Sequence, residues 1–207
     1  MTTNTDGKAT IRAAALHRIL AHAAPFTAPA HELPVLRTVR LFADGKDLAA
    51  EATDRFTACR SRVEAEEVSD GFSVLVANDD VKRLLALTKS AGRTAQPQRP
   101  VALDLVDGAL TVTDDWGGAS LACRAVDAEY PRLGSIIDKA RDDQPGQRDV
   151  IHLNPDVFTV LTKALGKSVT HATFKLPSRK AGGVYVTVAG SDGDGFEAVL
   201  MLRRGES

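Results

Sequence analysis

The feature that most constrains the fold of this sequence is a pattern that occurs three times. Each unit contains a short strand, a helix of about three turns and three strands joined by tight turns. The units span about 9–68, 71–135 and 149–204. Ala58-Cys59-Arg60 and Ala122-Cys123-Arg124 stand at equivalent strand ends, and Asp-Gly hairpin signals stand 14 and 15 residues before the two cysteines. Each repeated unit is expected to leave one face open until a neighbouring unit covers it.

The repeats predict an α+β chain made of one complete domain and an additional half-domain. Residues 9–137 contain the first two units, and residues 149–207 contain the third. The stretch 138–148 is rich in charged residues, Gln, Gly and Pro, which predicts an exposed linker. Residues 1–8 are polar and are predicted to be disordered.

The motifs give no support for catalysis. The sequence contains no glycine-rich phosphate loop, no G-x-S-x-G and no H-E-x-x-H. Asp192-Gly193-Asp194-Gly195 lacks the other ligands of a calcium loop and predicts a hairpin turn. We therefore expect a protein that is not an enzyme, with no catalytic residue, metal or cofactor. No apolar run is long enough to span a bilayer and no signal-peptide pattern occurs, so a cytoplasmic protein is expected.

Positive charge is concentrated in the predicted helices. Residues 11–24, 79–93 and 156–167 carry net charges of +2, +2 and +1, although the whole chain carries −1. Such segregation is typical of helices that face a polyanion, but cations on solvated helix faces would give the same pattern. The residues predicted to face a polyanion are Arg12, Arg18, Lys82, Arg83, Lys89, Lys163 and Lys167.

Three motifs resemble a known family. Ala52-Thr53-Asp54-Arg55-Phe56-Thr57-Ala58 and Glu129-Tyr130-Pro131-Arg132-Leu133 resemble, in order and spacing, the middle domain of bacterial DNA sliding clamps, the beta subunit of DNA polymerase III. Phe196-x-x-Val199-Leu200-Met201 is similar to the second half of the clamp's last domain. The resemblance implies a shortened DNA clamp fold built from three strand–helix–three-strand half-domains.

The resemblance also implies a hydrophobic cleft that captures short peptides from polymerases, the clamp loader and repair proteins. Met201-Leu202-Arg203-Arg204-Gly205 lacks a proline that the family usually has there, which could change the rim of the cleft. From the residues alone, Leu36, Val199 and Leu200 could equally be core strand residues. The residues that correspond to the cleft are Leu36, Thr53, Asp54, Phe56, Pro131, Ile136, Val199, Leu200, Met201 and Arg204.

The function implied by the resemblance is that of a processivity or scaffold factor in DNA replication, which binds duplex DNA non-specifically and partner peptides in the cleft. A peptide-binding regulator or decoy that does not encircle DNA is the alternative, and an unrelated α+β protein or enzyme is a third. A homo-oligomer is expected. By counting half-units, four chains would complete a ring, but a dimer through the third units or a monomer is equally allowed.

Overall fold

The computed structural model describes residues 3–89, 98–114, 116, 118–144, 153–167, 169–178, 182–188 and 195–202. The first unit contains β1 (Gly7–Arg12), α1 (Ala13–Ala23), β2 (Thr38–Asp44), β3 (Asp47–Thr53) and β4 (Thr57–Glu64). The short strand β5 (Glu67–Val68) follows, and the second unit contains β6 (Ser73–Ala77), α2 (Asn78–Thr88), β7 (Pro100–Val106), β8 (Ala109–Asp114) and β9 (Ser120–Arg124). Next come α3 (Leu133–Asp142), α4 (Asp156–Leu165), β10 (Thr173–Lys175), β11 (Gly183–Thr187) and β12 (Phe196–Met201).

These elements confirm the predicted repeat and the α+β class. Both complete units have the order strand, helix, three strands, and the third has a helix followed by three strands. Ala58-Cys59-Arg60 lies near the start of β4, whereas Ala122-Cys123-Arg124 ends β9, so the prediction that they stand at equivalent strand ends is wrong. The strand predicted at 150–153 falls mostly outside the described residues.

The first two units exchange strands between two antiparallel sheets. β1 pairs with β7 of the second unit, and β6 pairs with β2 of the first. One sheet has the order β5-β1-β7-β8-β9 and the other the order β10-β11-β12-β4-β3-β2-β6. Since each unit supplies a strand to the sheet of the other, neither unit can complete its sheet alone.

The helices α1, α2 and α4 form a layer against these sheets. α1 packs between α2 and α4, and it also contacts β3 and β4. Leu16, Leu20 and Ala23 recur at helical spacing along α1 and are fully buried. Equivalent apolar residues of α4 are buried in the same core, together with the inward-facing side chains of both sheets.

The third unit extends the larger sheet of the first. β12 pairs antiparallel with β4 in the register Phe196↔Ser61, Ala198↔Cys59 and Leu200↔Thr57. Phe196, Ala198 and Leu200 point towards the helix layer and have at most 1% of their surface exposed. Because successive residues of a strand face opposite sides, Glu197 and Val199 lie on the outer face.

The outer face of this sheet carries a second, smaller core under α3. Its buried members are Ala58, Leu75, Tyr130, Leu133, Ile137, Tyr185 and Val199. α3 contacts β4, β11 and β12, and therefore bridges the first and third units. The linker predicted from residue 138 is wrong up to Asp142, because α3 continues to that residue and charged side chains of its last turns form ion pairs with the sheet.

Those ion pairs form a network on the outer face. The buried Glu51 carboxylate accepts hydrogen bonds from Arg60, with Nη2 to Oε1 at 2.8 Å, and Arg60 also reaches Asp138 of α3. Burial raises the pKa of the Glu51 carboxyl, although the charges of Arg60 and Arg40 oppose this. The guanidinium occupies the space beside Gly134, where an added Cβ would lie 2.6 Å from Nη2.

Glu197 anchors the β12 side of the same network. Its carboxylate binds Arg62 of β4 at 2.5 Å and Arg141 of α3 at 3.4 Å, and it accepts a hydrogen bond of 2.7 Å from the Tyr185 hydroxyl. Burial and this hydrogen bond raise the pKa of the Tyr185 hydroxyl. The network thus joins strands of the first unit, strands of the third unit and α3.

The N-terminal residues that the structure describes are ordered, which corrects the prediction of disorder for residues 1–8. Thr5 pairs with Ser73 through two backbone hydrogen bonds, and the Asn4 side chain bonds the backbone of Leu75 and Val126. β1 itself begins at Gly7. These residues cover the free edge of β6, and an uncovered edge would expose unpaired backbone groups.

Within the described ranges, no helix is long and apolar enough to cross a membrane. No group of three or more His, Cys, Asp or Glu side chains that could hold a metal ion occurs among these residues either.

The Glu51–Arg60 pair gives a first prediction. Glu51→Gln should lower the free energy of unfolding by about 3 kcal/mol, because it leaves the buried guanidinium with only the more distant and partly exposed Asp138 as a charge partner. Urea unfolding followed by circular dichroism measures this. The matched control is Glu64→Gln on β4, which removes an exposed pair with Lys46 and should have little effect. Equal effects of the two substitutions would contradict a structural role for the buried pair.

The contact between α1 and α2 gives a second prediction. His17 Nδ1 lies 3.2 Å from the hydroxyl of Thr88, and partial burial, with a smaller effect of Lys89, lowers the pKa of His17 below its usual 6.5. Because the pKa of His17 is lower in the folded protein than its usual 6.5, the unfolded chain binds the proton more readily. The contribution of His17 to the free energy of unfolding is therefore fully present above pH 6.5, and this contribution is lost as the pH falls through the folded-state pKa.

His17→Gln should therefore reduce the acid-induced loss of unfolding free energy, measured by urea unfolding over a series of pH values. His31→Gln, in an exposed loop, is the control. An unchanged pH dependence in the His17 variant would refute the assignment.

Candidate functional site

The loop between β3 and β4 is held in one conformation by its own side chains. Asp54 Oδ1 accepts hydrogen bonds from the backbone N–H groups of Phe56 at 2.9 Å and Thr57 at 2.6 Å. The Thr53 hydroxyl donates to the carbonyl of Thr57 at 2.6 Å. Arg55 has a φ of 81° and forms a 2.7 Å ion pair with Glu32. These hydrogen bonds fix the backbone of the loop, and they therefore also fix the position of one exposed side chain in it.

That side chain is Phe56, which lies next to the end of β12. The Phe56 carbonyl accepts a hydrogen bond of 2.9 Å from the backbone N–H of Met201. Phe56 is 65% exposed and Met201 is 43% exposed. The pairing of β4 with β12 thus places two exposed apolar residues from different units beside each other.

A cavity lies on each side of Met201. The cavity towards α4 has a volume of about 540 Å³ and is lined by Asp54, Phe56, Thr57, Asn154, Asp156, Val157, Val160, Met201 and Leu202. The cavity towards α3 has a volume of about 630 Å³ and is lined by Ile136, Lys139, Ala140, Asp143, Pro177, Gly182, Gly183, Val199 and Met201. Both volumes are in the range of sites that bind small molecules or short peptide segments.

The residues predicted to line a cleft divide into three groups. The structure brings Asp54, Phe56 and Met201 together at one cavity, and Ile136, Val199 and Met201 at the other. Pro131 is half-buried just before α3, and Arg204 lies outside the described residues.

The remaining predicted cleft residues are buried. Leu36 and Thr53 have at most 5% of their surface exposed, and Leu200 has none. Leu200 is a correction to the sequence analysis, because strand alternation turns its side chain into the main core and away from the solvent. Leu200 can therefore contribute to the cleft only by packing behind its wall. This agrees with the alternative interpretation of Leu200 as a core strand residue.

Sequence reasoning missed the α3 side of the site. Lys139, Ala140 and Asp143 line the second cavity, but all three fall in the stretch 138–148 that was predicted as a linker. Gly183 was also missed. A side chain at this position would clash with the cavity wall, because a Cβ would lie 2.3 Å from Val199 Cγ1. The spacing of Leu133, Ile136, Ile137 and Ala140 is an amphipathic helical signal that could have identified this wall.

The predicted DNA-facing cations lie on or beside the helix layer. Arg12, Arg18 and Lys163 line a groove of about 580 Å³ between α1 and α4. Lys89 and Lys167 are exposed at the ends of α2 and α4.

Several of these cations have carboxylate partners. Lys82 pairs with Asp79 and Arg83 with Asp80, both at 2.8 Å, while Arg12 approaches Glu66 at 3.9 Å. The pairs of α2 are exposed and lie at i,i+3 spacing. The positive potential of the helix layer is therefore weaker than the count of its cations suggests.

Comparison with known proteins supports the fold. No protein-family model matches the sequence, and no curated protein matches it. The structure is similar to that of a DNA polymerase sliding clamp from Pseudomonas aeruginosa, with a TM-score of 0.73 and 13% identity over 97% of this chain and 68% of that one. A putative DNA polymerase III beta subunit from Eubacterium rectale gives 0.75 and 9%, over 96% and 66%.

A DNA polymerase III subunit beta from Borrelia burgdorferi, solved in complex with a natural product, gives a TM-score of 0.72 and 13% identity, over 96% of this chain and 63% of that one. This chain therefore spans about two thirds of the length of the clamps that it matches. Its fold is that of the bacterial DNA sliding clamps, the beta subunits of DNA polymerase III, in a shortened form.

Proposed function

We propose that this protein is a non-catalytic, clamp-like scaffold in DNA replication that binds short partner peptides at the junction of its first and third units. The observation that carries the proposal is the pair Phe56 and Met201, two exposed apolar side chains held side by side with a cavity on each flank. Peptides of polymerases, clamp loaders or repair proteins are the proposed partners, and the cytoplasm is the proposed location.

The chemistry of the cleft suits an extended peptide with apolar anchors. Burying a large apolar side chain contributes about 1.5–3 kcal/mol, and each cavity has room for at least one such group. Polar atoms stand at the rim, namely the carboxylates of Asp54 and Asp156 on one side and the ammonium of Lys139 on the other. These groups could orient the peptide backbone while the apolar walls supply most of the affinity.

Non-specific contact with duplex DNA through the helix layer is the second part of the proposal. Arg12, Arg18 and Lys163 converge on one groove, and Lys167 is exposed close to it. Contacts between such cations and phosphates are weak and depend on salt, which is compatible with sliding. Holding DNA topologically would further require a closed assembly of several chains.

A peptide-binding regulator that does not hold DNA is the alternative function. The ion pairs Lys82–Asp79 and Arg83–Asp80 favour it, because they neutralise two of the cations on α2. The net charge of −1 also gives the protein no general attraction to a polyanion.

Loss of the exposed aromatic ring tests the peptide site. Heptapeptides selected by phage display on the wild-type protein should carry apolar anchors, and Phe56→Ala should weaken their binding by about tenfold or more. The substitution keeps the backbone carbonyl that binds Met201. Isothermal titration calorimetry measures the affinity, and Trp116→Ala, which removes another exposed aromatic ring, is the control. Equal affinity in wild type and Phe56→Ala would refute the site.

Charge reversal at Lys163 of α4 and at Lys167, just after this helix, tests DNA contact. Lys163→Glu/Lys167→Glu should weaken binding to a fluorescein-labelled duplex and make its dependence on salt concentration shallower, since each phosphate contact contributes to that slope. Fluorescence anisotropy at several salt concentrations measures both effects. Lys46→Glu, in the turn between β2 and β3, is the control. No binding by the wild-type protein at low salt would leave the regulator as the function.

A further inference from the structure

The cavity towards α3 is lined mainly by apolar groups. Gly183 of β11 and Val199 and Met201 of β12 line it from the sheet, and Ile136 and Ala140 line it from α3. Ile136 is 46% exposed, so an apolar side chain of a partner can cover it. A charge beside such walls is screened less by water than a charge on an open surface.

Two charged residues, Lys139 and Asp143, stand among the described residues that line this cavity. Lys139 belongs to the last turn of α3, and Asp143 is the residue that follows the helix. Opposite charges four residues apart on a helix commonly pair with each other. The partner that Asp143 takes therefore decides whether the ammonium of Lys139 is available to a ligand.

Asp143 is engaged by the chain that follows β10. The backbone N–H of Ser178 donates to Asp143 Oδ2 at 3.0 Å, and the Ser178 hydroxyl donates to Asp143 Oδ1 at 2.7 Å. Both oxygens of the carboxylate thus have a donor in Ser178. The ammonium of Lys175 also binds the carbonyl of Arg141, so two residues hold this chain against the end of α3.

The cations at the end of α3 differ in their partners. Arg141 forms ion pairs with Asp138, Asp142 and Glu197. Lys139 is exposed, and none of the ion pairs within the described ranges includes it. An acidic group that enters the cavity therefore meets an ammonium that none of these residues already pairs with.

We propose that Lys139 determines which peptides the cleft accepts, by pairing with an Asp or Glu side chain next to the apolar anchor that enters this cavity. Ser178 supports this pairing, because it keeps the carboxylate of Asp143 from taking the place of the peptide. The partner is thus a peptide with an acidic residue beside an apolar one. The inference rests on the proposed peptide binding and adds the charge of the peptide to it.

The pair with Lys139 contributes to specificity more than to affinity. The apolar anchors supply most of the binding free energy, and an ion pair with a partly solvated lysine adds only modestly to it. A basic residue at the same position of the peptide would meet a like charge, which opposes binding. The expected effect is therefore a preference between peptides of equal size.

Parallel selections of phage-displayed heptapeptides test this preference. Peptides selected on the wild-type protein should carry Asp or Glu at a fixed spacing from an apolar residue. Peptides selected on Lys139→Gln should keep the apolar residue and lose the acidic one. The control is Lys46→Gln, which removes another exposed ammonium in the turn between β2 and β3 and should select the wild-type pattern.

Isothermal titration calorimetry with one selected peptide measures the pair itself. The peptide is compared with a form whose acidic residue is replaced by the corresponding amide, and both forms have an amidated C-terminus, so that they differ only in the side-chain carboxylate. The wild-type protein should bind the amide form about fivefold more weakly at low salt, and this ratio should shrink at high salt. Lys139→Gln should bind both forms with the same affinity.

Ser178→Ala tests the part of Asp143. Loss of the hydroxyl removes the donor to Asp143 Oδ1, so this oxygen can pair with Lys139, and the preference for the acidic form should fall by about twofold. Ser135→Ala, which removes a hydroxyl bound to the Arg132 carbonyl near the start of α3, is the control and should leave the preference unchanged. Circular dichroism verifies that each variant is folded.

Equal binding of the acidic and amide forms by the wild-type protein overturns the proposal, and so does a wild-type preference that persists in Lys139→Gln. An unchanged preference in Ser178→Ala overturns the part assigned to Ser178. Failure of the proposed peptide site has a different signature, because Phe56→Ala would then bind both forms as tightly as the wild-type protein does. If no heptapeptide is enriched on the wild-type protein, the peptide site and this inference fall together.

Discussion

The pairing of β12 with β4 is the interaction on which the rest of this structure depends. It joins the third unit to the first, and it brings Met201 to the rigid loop that presents Phe56. Hydrogen bonds of the ladder alone would hold two strands weakly. α3 and the buried ion pairs of Glu51 and Glu197 cover the outer face of this junction and bind both of its sides.

The sheet edges among the described residues are covered in different ways. The edge of β6 is covered by Thr3–Thr5 and by the chain around Val126. β4 is covered by the third unit and β2 by the second. β10 and β9 end their sheets. Phe174 of β10 is 42% exposed beside one of these ends.

Periodicity and turn signals in the sequence were sufficient to predict the repeat, because hairpins and amphipathic helices are encoded locally. The two Ala-Cys-Arg segments do lie in strands, but one stands near the start of β4 and the other at the end of β9. α3 was missed because its charged residues looked solvated, whereas Asp138 and Arg141 pair with charges on distant strands. Leu200 and Met201 are adjacent in a motif, but only the register of β12 decides which of them faces the solvent. Such long-range partners leave no local signal.

The proposed peptide cleft depends on the three-stranded sheet of the third unit. β12 carries Met201 at the inner edge, β10 carries Phe174 at the outer edge, and β11 pairs with both. Gly183 of β11 lines the cavity towards α3, and a Cβ at this position would lie 2.3 Å from Val199 Cγ1, so β11 and β12 form that wall together. A peptide that contacts Met201 would therefore hold β12 against both β4 and β11. Since linked equilibria are coupled reciprocally, peptide binding and the stability of the junction between the first and third units should depend on each other.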